Sequence, residues 1–137
     1  MRYDFSQYPD YIAIANEIIG EDTEFGEDAS TIAIFSDDNE FLAVVVYNNY
    51  TGTDIAMHIA SVSPKWATRE SLRVVFTYPF IELGVRRVTA ATKAGLTNAI
   101  RMVQRLGFIY EGAFRDYYED GDSDVLHGMK RDECRWI

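Results

Sequence analysis

The hydrophobic period changes twice between residues 54 and 92, and these changes constrain the fold more than any other feature of the sequence. The stretch "DIAMHIASVS" alternates apolar residues with a period of two, which is typical of a strand. Over 68–84 the apolar residues instead recur at helical spacing, and "RRVTAAT" then predicts a second short strand. Two strands that are joined through a helix run parallel, with a right-handed crossover. The chain is therefore expected to build a sheet that is at least partly parallel.

The remaining segments predict one helix and a hairpin before this unit, and one helix and two strands after it. A short helix is expected over 9–19, with no clear strand before it, and "TIAIFSDDNEFLAVVVYN" predicts the hairpin. A second amphipathic helix is expected over 96–107. We therefore expect one α/β (α+β) domain over 1–137, with a mixed central sheet of about six strands flanked by helices.

Glycine and proline mark the ends and one weak point of the predicted helices. Gly84 and Gly107 are each placed to end a helix, because glycine readily adopts the left-handed conformation of a helix C-cap. Pro79 lies inside the helix predicted over 68–84 and should kink it, since proline lacks a backbone N–H.

The acidic composition limits the partners that the chain can have. The 22 acidic and 13 basic side chains give a formal net charge of −9, which argues against nucleic acid and fits a cationic substrate or a basic partner protein. The one cysteine, Cys134, allows no internal disulfide and has no metal-ligating cluster around it, so no metal site is expected. Because "MRYDFSQYPD" is not a signal peptide and no run is long enough to span a membrane, we expect a cytoplasmic protein.

The junction between the strand and the helix of this unit, residues 62–69, is the first candidate ligand site. Ligands in such sheets bind outside the carboxyl ends of parallel strands, beside helix amino ends. Free backbone N–H groups, Lys65 and Arg69 could hold a phosphate there. The alternative is an ordinary helix start with Ser63 or Thr68 as its N-cap residue, and residue chemistry leaves both interpretations open.

Three longer stretches carry a resemblance to a known family, in the same order and with the same spacing. They are "SPKWATRESLRVVFTYPFIELGVRRVTAAT", "NAIRMVQRLGFIYEGAFRDYY" and "EDGDSDVLHGMKRDE". Through them the segment 54–133 resembles the Gcn5-related N-acetyltransferase (GNAT) superfamily, and in particular the branch that acetylates the amino termini of ribosomal proteins. The small size and the acidity further suggest a bacteriophage member.

The resemblance implies acetyl-CoA as the acyl donor, lying between two diverging parallel strands, 55–62 and 86–92. It implies that the pyrophosphate lies on the loop at 64–69 and that the pantetheine arm follows the first of these strands. The residues that it assigns to the donor are Ala60, Val62, Lys65, Trp66, Ala67, Thr68, Arg69, Asn98 and Arg101.

For catalysis, the resemblance points to a base that deprotonates an amine before the amine attacks the thioester. His58 is the first candidate and Asp54 is the second, while a backbone N–H at 60–62 would stabilise the oxyanion. The alternative for His58 is a half-buried histidine that is satisfied by its neighbours, and His127 is expected to be structural.

Several positions differ from the family's pattern. No glycine occurs between Pro64 and Leu83, although the family's loop carries glycines that let the backbone approach the diphosphate. Val103 stands where many members have a tyrosine general acid, Ala99 where the resembled branch has a serine, and Leu96 where the family has an asparagine. These differences leave open an N-acetyltransferase, a degenerate member that binds a partner protein without catalysis, and an enzyme with a different acyl donor in a remodelled cleft.

The acceptor is expected to be a cationic amine. An acidic loop at 21–28 and an acidic, aromatic hairpin tip at 117–124 would both face it, which favours a protein amino terminus or a polyamine. The alternative for the tip is a solvated turn. The final strand, "SDVLHGMK", is also expected to be exposed and able to pair across a two-fold axis in a homodimer.

Overall fold

The computed structural model describes residues 1–7 and 10–137, which form one seven-stranded sheet with helices on both of its faces. The strand order is β1-β2-β3-β4-β5-β7-β6. The strands are β1 (Arg2–Asp4), β2 (Ser30–Phe35), β3 (Phe41–Asn48), β4 (Asp54–Ser61), β5 (Arg87–Lys93), β6 (Ile109–Phe114) and β7 (Asp124–Lys130). The α-helices are α1 (Tyr11–Ile19), α2 (Arg69–Thr77) and α3 (Thr97–Leu106). This confirms the predicted α/β (α+β) class and the mixed sheet, with seven strands rather than about six.

The amino-terminal segment differs from the prediction. β1 pairs antiparallel with β2, with Arg2 opposite Phe35, so the expectation of no clear strand before the first helix is wrong. Three residues are too few to show a period of two, and the strand forms because the edge of β2 offers it backbone partners. The Asp10 side chain caps α1 by accepting a hydrogen bond from the Ala13 N–H at 3.2 Å, and the predicted start at Pro9 lies outside the described residues.

The sheet separates two hydrophobic clusters. One face, which includes Val44, Val46 and Ala60, packs against α1. The other face, which includes Tyr47 and Met57, packs against α2 and α3. Because both faces are covered at β3, the apolar run of this strand is continuous rather than alternating. Among the described residues, no helix has the length and apolar character needed to cross a membrane.

β4 and β5 run parallel, as predicted, but they pair over only a short stretch. Residues 54–56 of β4 stand opposite residues 87–89 of β5. Beyond this stretch β4 stays paired with β3 up to Ser61, while β5 stays paired with β7 up to Lys93. A gap therefore opens between the two strands toward their carboxyl ends, as the resemblance implied.

The carboxyl end of α2 is reshaped by the proline that the sequence places there. After Thr77 the chain continues into a π-helical turn over Tyr78–Glu82, which contains Pro79. A proline cannot donate to the carbonyl four residues earlier, which here is that of Val75. The buried hydroxyl of Tyr47 donates to this carbonyl at 2.6 Å. The kink expected from Pro79 is thus a wide helical turn, and a side chain of β3 satisfies the carbonyl.

The free edge at the carboxyl-terminal side of the sheet belongs to β6 and not to the final strand. β7, which contains most of the "SDVLHGMK" segment, pairs with β5 on one side and with β6 on the other. The expectation of an exposed final strand is therefore wrong, because the hairpin inserts β7 between β5 and β6. The large exposed side chains on β6 are Ile109, Tyr110 and Phe114.

We predict that Tyr47→Phe lowers the free energy of unfolding by about 1–3 kcal/mol, because the buried Val75 carbonyl loses its hydrogen-bond donor. In a Pro79→Ala background the same substitution should cost less, since residue 79 then has an N–H of its own. Urea denaturation of the four variants measures both differences. An equal loss in the two backgrounds would show that Tyr47 and Pro79 are not coupled through this carbonyl.

Candidate functional site

The gap between β4 and β5 leads into a cleft that consists of two adjoining cavities. The histidine cavity, named for His58 in its wall, has a volume of about 360 Å³. The helix cavity, which lies at the start of α3 and is lined by Ser61, Gly95 and Asn98, has a volume of about 420 Å³. The two cavities share the lining residues Ile19, Ile59, Leu96, Ala99 and Met102. The two cavities therefore lie side by side at these five residues.

The backbone of β4 offers unpaired polar groups to the gap. The Val62 N–H donates to the Leu42 carbonyl at 2.9 Å, which fixes the alternation of the antiparallel β3–β4 pair. Even-numbered residues of β4 therefore direct their backbone groups to β3, and odd-numbered residues direct theirs to the opposite side. On that side the pairing with β5 has already ended at Ile59 and Ser61, so their N–H and C=O groups face the gap.

This alternation decides which strand residues can bind a ligand arm in the gap. Ala60 and Val62, the predicted donor residues, use their backbone groups toward β3, although the side chain of Ala60 still lines the helix cavity. Ile59 and Ser61 are the residues whose backbone groups are available. The choice between odd and even residues depends on the register with β3, which the sequence alone does not reveal.

The loop after β4 closes on itself. Pro64–Trp66 form a 3-10 turn, in which the Ser63 hydroxyl accepts a hydrogen bond from the Lys65 N–H at 3.2 Å. The N–H groups of Ala67 and Thr68 donate to carbonyls of the same turn at 3.3 and 2.9 Å. Three backbone N–H groups of the predicted phosphate loop are therefore already bonded within the loop.

The capping interpretation of this loop is confirmed at both candidate positions. Ser63 caps the 3-10 turn, and Thr68 caps α2 through its side-chain oxygen. Among the predicted donor residues of the loop, Trp66 buries its side chain in the core. Lys65 and Arg69 carry their charges on exposed side chains.

The start of α3 contributes polar groups to one cavity and apolar groups to the other. Asn98 and Arg101 are both exposed there, and Asn98 lines the helix cavity whereas Arg101 lines neither cavity. Ala99 and Val103 line the histidine cavity. The side chains that α3 contributes to that cavity, among the described residues, carry no hydroxyl.

The surroundings of His58 fix which of its ring nitrogens carries a proton. The Nε2 atom is 2.9 Å from Asn48 Oδ1, and Asn48 Nδ2 donates to the Phe25 carbonyl at 3.2 Å. Because the amide nitrogen is committed to Phe25, the amide oxygen accepts from an Nε2–H group of the imidazole. The Nδ1 atom then carries the lone pair and is the ring nitrogen that can accept a proton.

The environment of His58 also keeps it uncharged. Burial lowers the pKa of His58 to about 4, and the Phe25 ring packs edge-on against the imidazole with centroids 5.0 Å apart. The imidazole is therefore neutral at physiological pH. A neutral imidazole can accept a proton, but so low a pKa makes it a weak base.

The second predicted base lies away from the cleft. The Thr89 hydroxyl donates to Asp54 Oδ1 at 2.8 Å, and the Arg87 Nε atom lies 3.4 Å from the same oxygen. Asp54 sits at the paired end of β4 and lines neither cavity, so the structure does not bring Asp54 and His58 together. His127 is fully buried beside Tyr110 and likewise lines neither cavity.

The β6–β7 hairpin brings a carboxylate into the histidine cavity. The Tyr118 hydroxyl donates to Asp124 Oδ1 at 2.8 Å, and both residues line the cavity. Asp124 is only 6% exposed and forms no salt bridge with any residue of 1–7 or 10–137. Lys93, which also lines the cavity, is paired with Asp120 at 2.6 Å instead. The cavity thus contains a nearly buried carboxylate that has no cationic partner among these residues.

Tyr118 and two glutamates, which line the same cavity as Asp124, also favour a cation. Burial, and after it the hydrogen bond to Asp124, raises the pKa of Tyr118, so the phenol stays protonated and keeps donating. Its oxygen lone pairs remain able to accept from an N–H group. Glu21 and Glu24 line the same cavity, which confirms that the predicted acidic loop and the hairpin tip both reach it.

No family model matches this sequence. No curated protein matches it either. The fold, by contrast, is shared with many solved structures, of which three are described below.

The similar structures are acetyltransferases. A variant of the spermidine N-acetyltransferase SpeG from Vibrio cholerae has a TM-score of 0.76 at 10% sequence identity, and the match covers 100% of this chain and 98% of that one. A dodecameric structure of spermidine N-acetyltransferase from Vibrio cholerae in an intermediate state gives 0.75 at 11% identity over 96% and 94%. An acetyltransferase of the GNAT family from Bacillus anthracis gives 0.64 at 16% identity over 88% and 73%. At these identities the likeness establishes the fold, which is that of the GNAT acetyltransferases.

We predict that His58 is the Nε2–H tautomer at neutral pH and that it protonates only near pH 4, because burial disfavours the imidazolium. Nitrogen NMR of the histidine rings reports both properties, and His127→Gln leaves a single ring to assign. Asn48→Ala should populate both tautomers by removing the acceptor at Nε2. A ring of His58 that titrates near the ordinary value of about 6.5 would contradict this description.

Proposed function

We propose that the protein transfers an acyl group from a pantetheine thioester, with acetyl-CoA as the donor, to a cationic primary amine. The observation that carries the proposal is Asp124, a nearly buried carboxylate with no cationic partner among residues 1–7 and 10–137. It lies in the same cavity as the neutral imidazole of His58. An ammonium group in this cavity would supply the cationic partner that Asp124 lacks, in the same cavity as a proton acceptor.

Two further findings support the proposal. The chain has the fold of acetyltransferases, and the solved structures with this fold include enzymes named for acetylating spermidine, a polyamine. The carboxylates of Glu21 and Glu24 line the same cavity and favour a positively charged acceptor. A polyamine or a protein amino terminus is therefore the acceptor class that we propose.

The residues of the histidine cavity would divide the work on the amine. Asp124 and Tyr118 hold the ammonium, and Nδ1 of His58 accepts the proton that must leave before the nitrogen can attack. With a pKa of about 4, His58 releases this proton readily to solvent. The nitrogen then attacks the thioester carbonyl carbon, so that a C–N bond forms and the C–S bond breaks. The nitrogen loses a second proton and the thiolate takes up one, which leaves an amide and a thiol.

The gap between the strands would hold the donor arm and stabilise the charge that develops on its carbonyl oxygen. Backbone N–H groups are suitable donors for such an oxyanion, and those of Ile59 and Ser61 face the gap. The small residues Gly95 and Ala99 leave room for the arm beside them. The raised pKa of Tyr118 makes its phenol a poor acid. We therefore propose that the thiolate takes its proton from solvent or from the amine nitrogen that has attacked the carbonyl.

A second function, binding of a partner protein without catalysis, is favoured by a different observation. The loop at 64–69 uses three of its N–H groups internally, and Val103 supplies no hydroxyl to the cleft. A protein of this kind would keep the fold and the cleft but would bind no acyl-CoA.

The finer predictions from the sequence stay part of the proposal. They are membership of the ribosomal-protein branch, a bacteriophage source, a cytoplasmic location and a homodimer. The predicted lack of a metal also stays a prediction; in the part of the chain that the structure describes, no three or more His, Cys, Asp or Glu side chains form a group that could hold a metal ion. None of these predictions is needed for the chemistry proposed.

We predict that acetyl-CoA stabilises the protein against unfolding, by about 2.7 kcal/mol at a concentration of about a hundred times its dissociation constant. Thermal denaturation with increasing acetyl-CoA measures this, and desulfo-coenzyme A should compete. His58→Ala should lower turnover but keep the stabilisation, because His58 acts on the amine and not on the donor. Absence of any stabilisation or competition would favour the partner-binding function, and unchanged turnover in His58→Ala would remove His58 as the base.

We predict that Asp124→Asn raises KM for a diamine such as putrescine about ten- to a hundred-fold, with a smaller effect on kcat, because an amide cannot balance the ammonium charge. Asp116→Asn is the matched control, since Asp116 is exposed on the same hairpin and lines neither cavity. Thiol release from acetyl-CoA measures both constants. If KM is unchanged in Asp124→Asn, Asp124 does not bind the acceptor.

A further inference from the structure

The basic side chains of this acidic protein are concentrated in one part of the chain. Residues 64–110 contain eight of the 13 basic residues and only two of the 22 acidic ones. Five of these basic residues are exposed on and just before α2 and on α3, and we call them the basic surface: Lys65, Arg69, Arg73, Arg101 and Arg105. Within residues 1–7 and 10–137, none of the five forms a salt bridge.

The topology places the basic surface beside the open end of the cleft. α2 follows β4 and α3 follows β5, and the carboxyl ends of these parallel strands lie at the end of the sheet where the strands diverge. Lys65 and Arg69 therefore stand at the start of one helix, and Arg101 stands near the start of the other. Arg73 and Arg105 each follow one helical turn later, on the same stripe of their helix. The starts of α2 and α3, with Lys65, Arg69 and Arg101, therefore lie at the end of the sheet where the gap opens.

The loop beside this opening is poorly built for the diphosphate of a free nucleotide. Three of its N–H groups are bonded within the loop, and no glycine between Pro64 and Leu83 allows a close backbone approach. The gap itself remains suited to an extended arm, because the backbone groups of Ile59 and Ser61 are unpaired there. Glu70, which follows Arg69 in the sequence, accepts a hydrogen bond from the Tyr3 hydroxyl at 3.1 Å.

We propose that the preferred acyl donor is a phosphopantetheine arm attached to an acidic carrier protein, which docks on the basic surface. This inference rests on the proposed function and names its donor class. A carrier-bound arm brings a single phosphodiester, so it does not need a diphosphate cradle, and the carrier's acidic surface supplies the charges that the five cations lack. Because the residues outside 64–110 carry 20 acidic and only five basic side chains, an acidic partner is attracted to the basic surface more than to the rest of the chain, which favours one orientation of docking.

The chemistry at the carbonyl is the same as with a small donor. The amine nitrogen forms a bond to the acyl carbon, the C–S bond to the arm breaks, and the thiolate of the arm takes up one proton. The carrier leaves with a free thiol on its arm. Free acetyl-CoA is then a smaller donor, which supplies the pantetheine arm but lacks the acidic surface of the carrier.

Binding measurements with three probes test this inference. The probes are a bacterial acyl carrier protein whose arm bears an acetyl group in a stable amide linkage, the same carrier without its arm, and acetyl-CoA. We expect the loaded carrier to bind about ten-fold more tightly than acetyl-CoA and to lose affinity as salt is raised, because the docking contacts are ionic. The carrier without its arm should bind more weakly than the loaded carrier.

Charge-reversal variants test whether the basic surface is the docking site, with a charge reversal elsewhere on the protein as the control. The double variant Arg69→Glu with Arg101→Glu should weaken binding of the loaded carrier about a hundred-fold. Arg86→Glu makes the same kind of change at the opposite end of β5, on an exposed side chain, and should leave this binding within about two-fold of the parent. Circular dichroism checks that each variant is folded, and Arg69→Ala with Arg101→Ala replaces the double variant if it is not.

The outcomes separate the inference from the proposed function. The carrier proposal is overturned if acetyl-CoA binds more tightly than the loaded carrier, or if charge reversal leaves carrier binding unchanged. In either case acyl transfer from acetyl-CoA can still be observed, so the proposed function is not affected. If neither acetyl-CoA nor the loaded carrier binds, the proposed function fails as well.

Discussion

The short pairing between β4 and β5 is the constraint on which the rest of the site depends. The two strands share only residues 54–56 and 87–89, after which each continues with a different neighbour. Among the residues that the structure describes, the backbone groups of Ile59 and Ser61 therefore have no strand partner on the gap side. Because unpaired backbone groups inside a fold need a hydrogen-bond partner, the gap is a place that water or a ligand must fill.

The general plan of the fold could be predicted from the sequence, because the spacing of the apolar residues indicates which side chains face the core. It predicted the parallel pair around α2, the hairpin of β2 and β3, and the helix that ends at Gly107. It missed β1, since three residues carry no period, and it placed the last strand at an edge, since strand order follows from long-range pairing.

The site was harder to predict from the sequence than the fold, because its chemistry depends on contacts between distant segments. His58 was predicted as the first candidate base from the resemblance, but the proton on its Nε2 atom is set by Asn48 and the Phe25 carbonyl, which are ten and more residues away. The closure of the loop at 64–69 likewise depends on the Ser63 hydroxyl and on the conformation of one short turn. Residue types alone could not distinguish a free N–H from one that the loop bonds to itself.

The paired amino-terminal ends of β4 and β5 affect the width of the gap between their carboxyl-terminal ends. Arg87 bonds Glu111 and lies beside Asp54, and this group of side chains lies over Gly128, where a Cβ atom would collide with it. These ionic contacts thus hold β4 and β5 together at the end opposite to the gap. Any rotation of one strand against the other about this end would give a displacement that grows along the strands, so the width of the gap depends on residues that lie outside it.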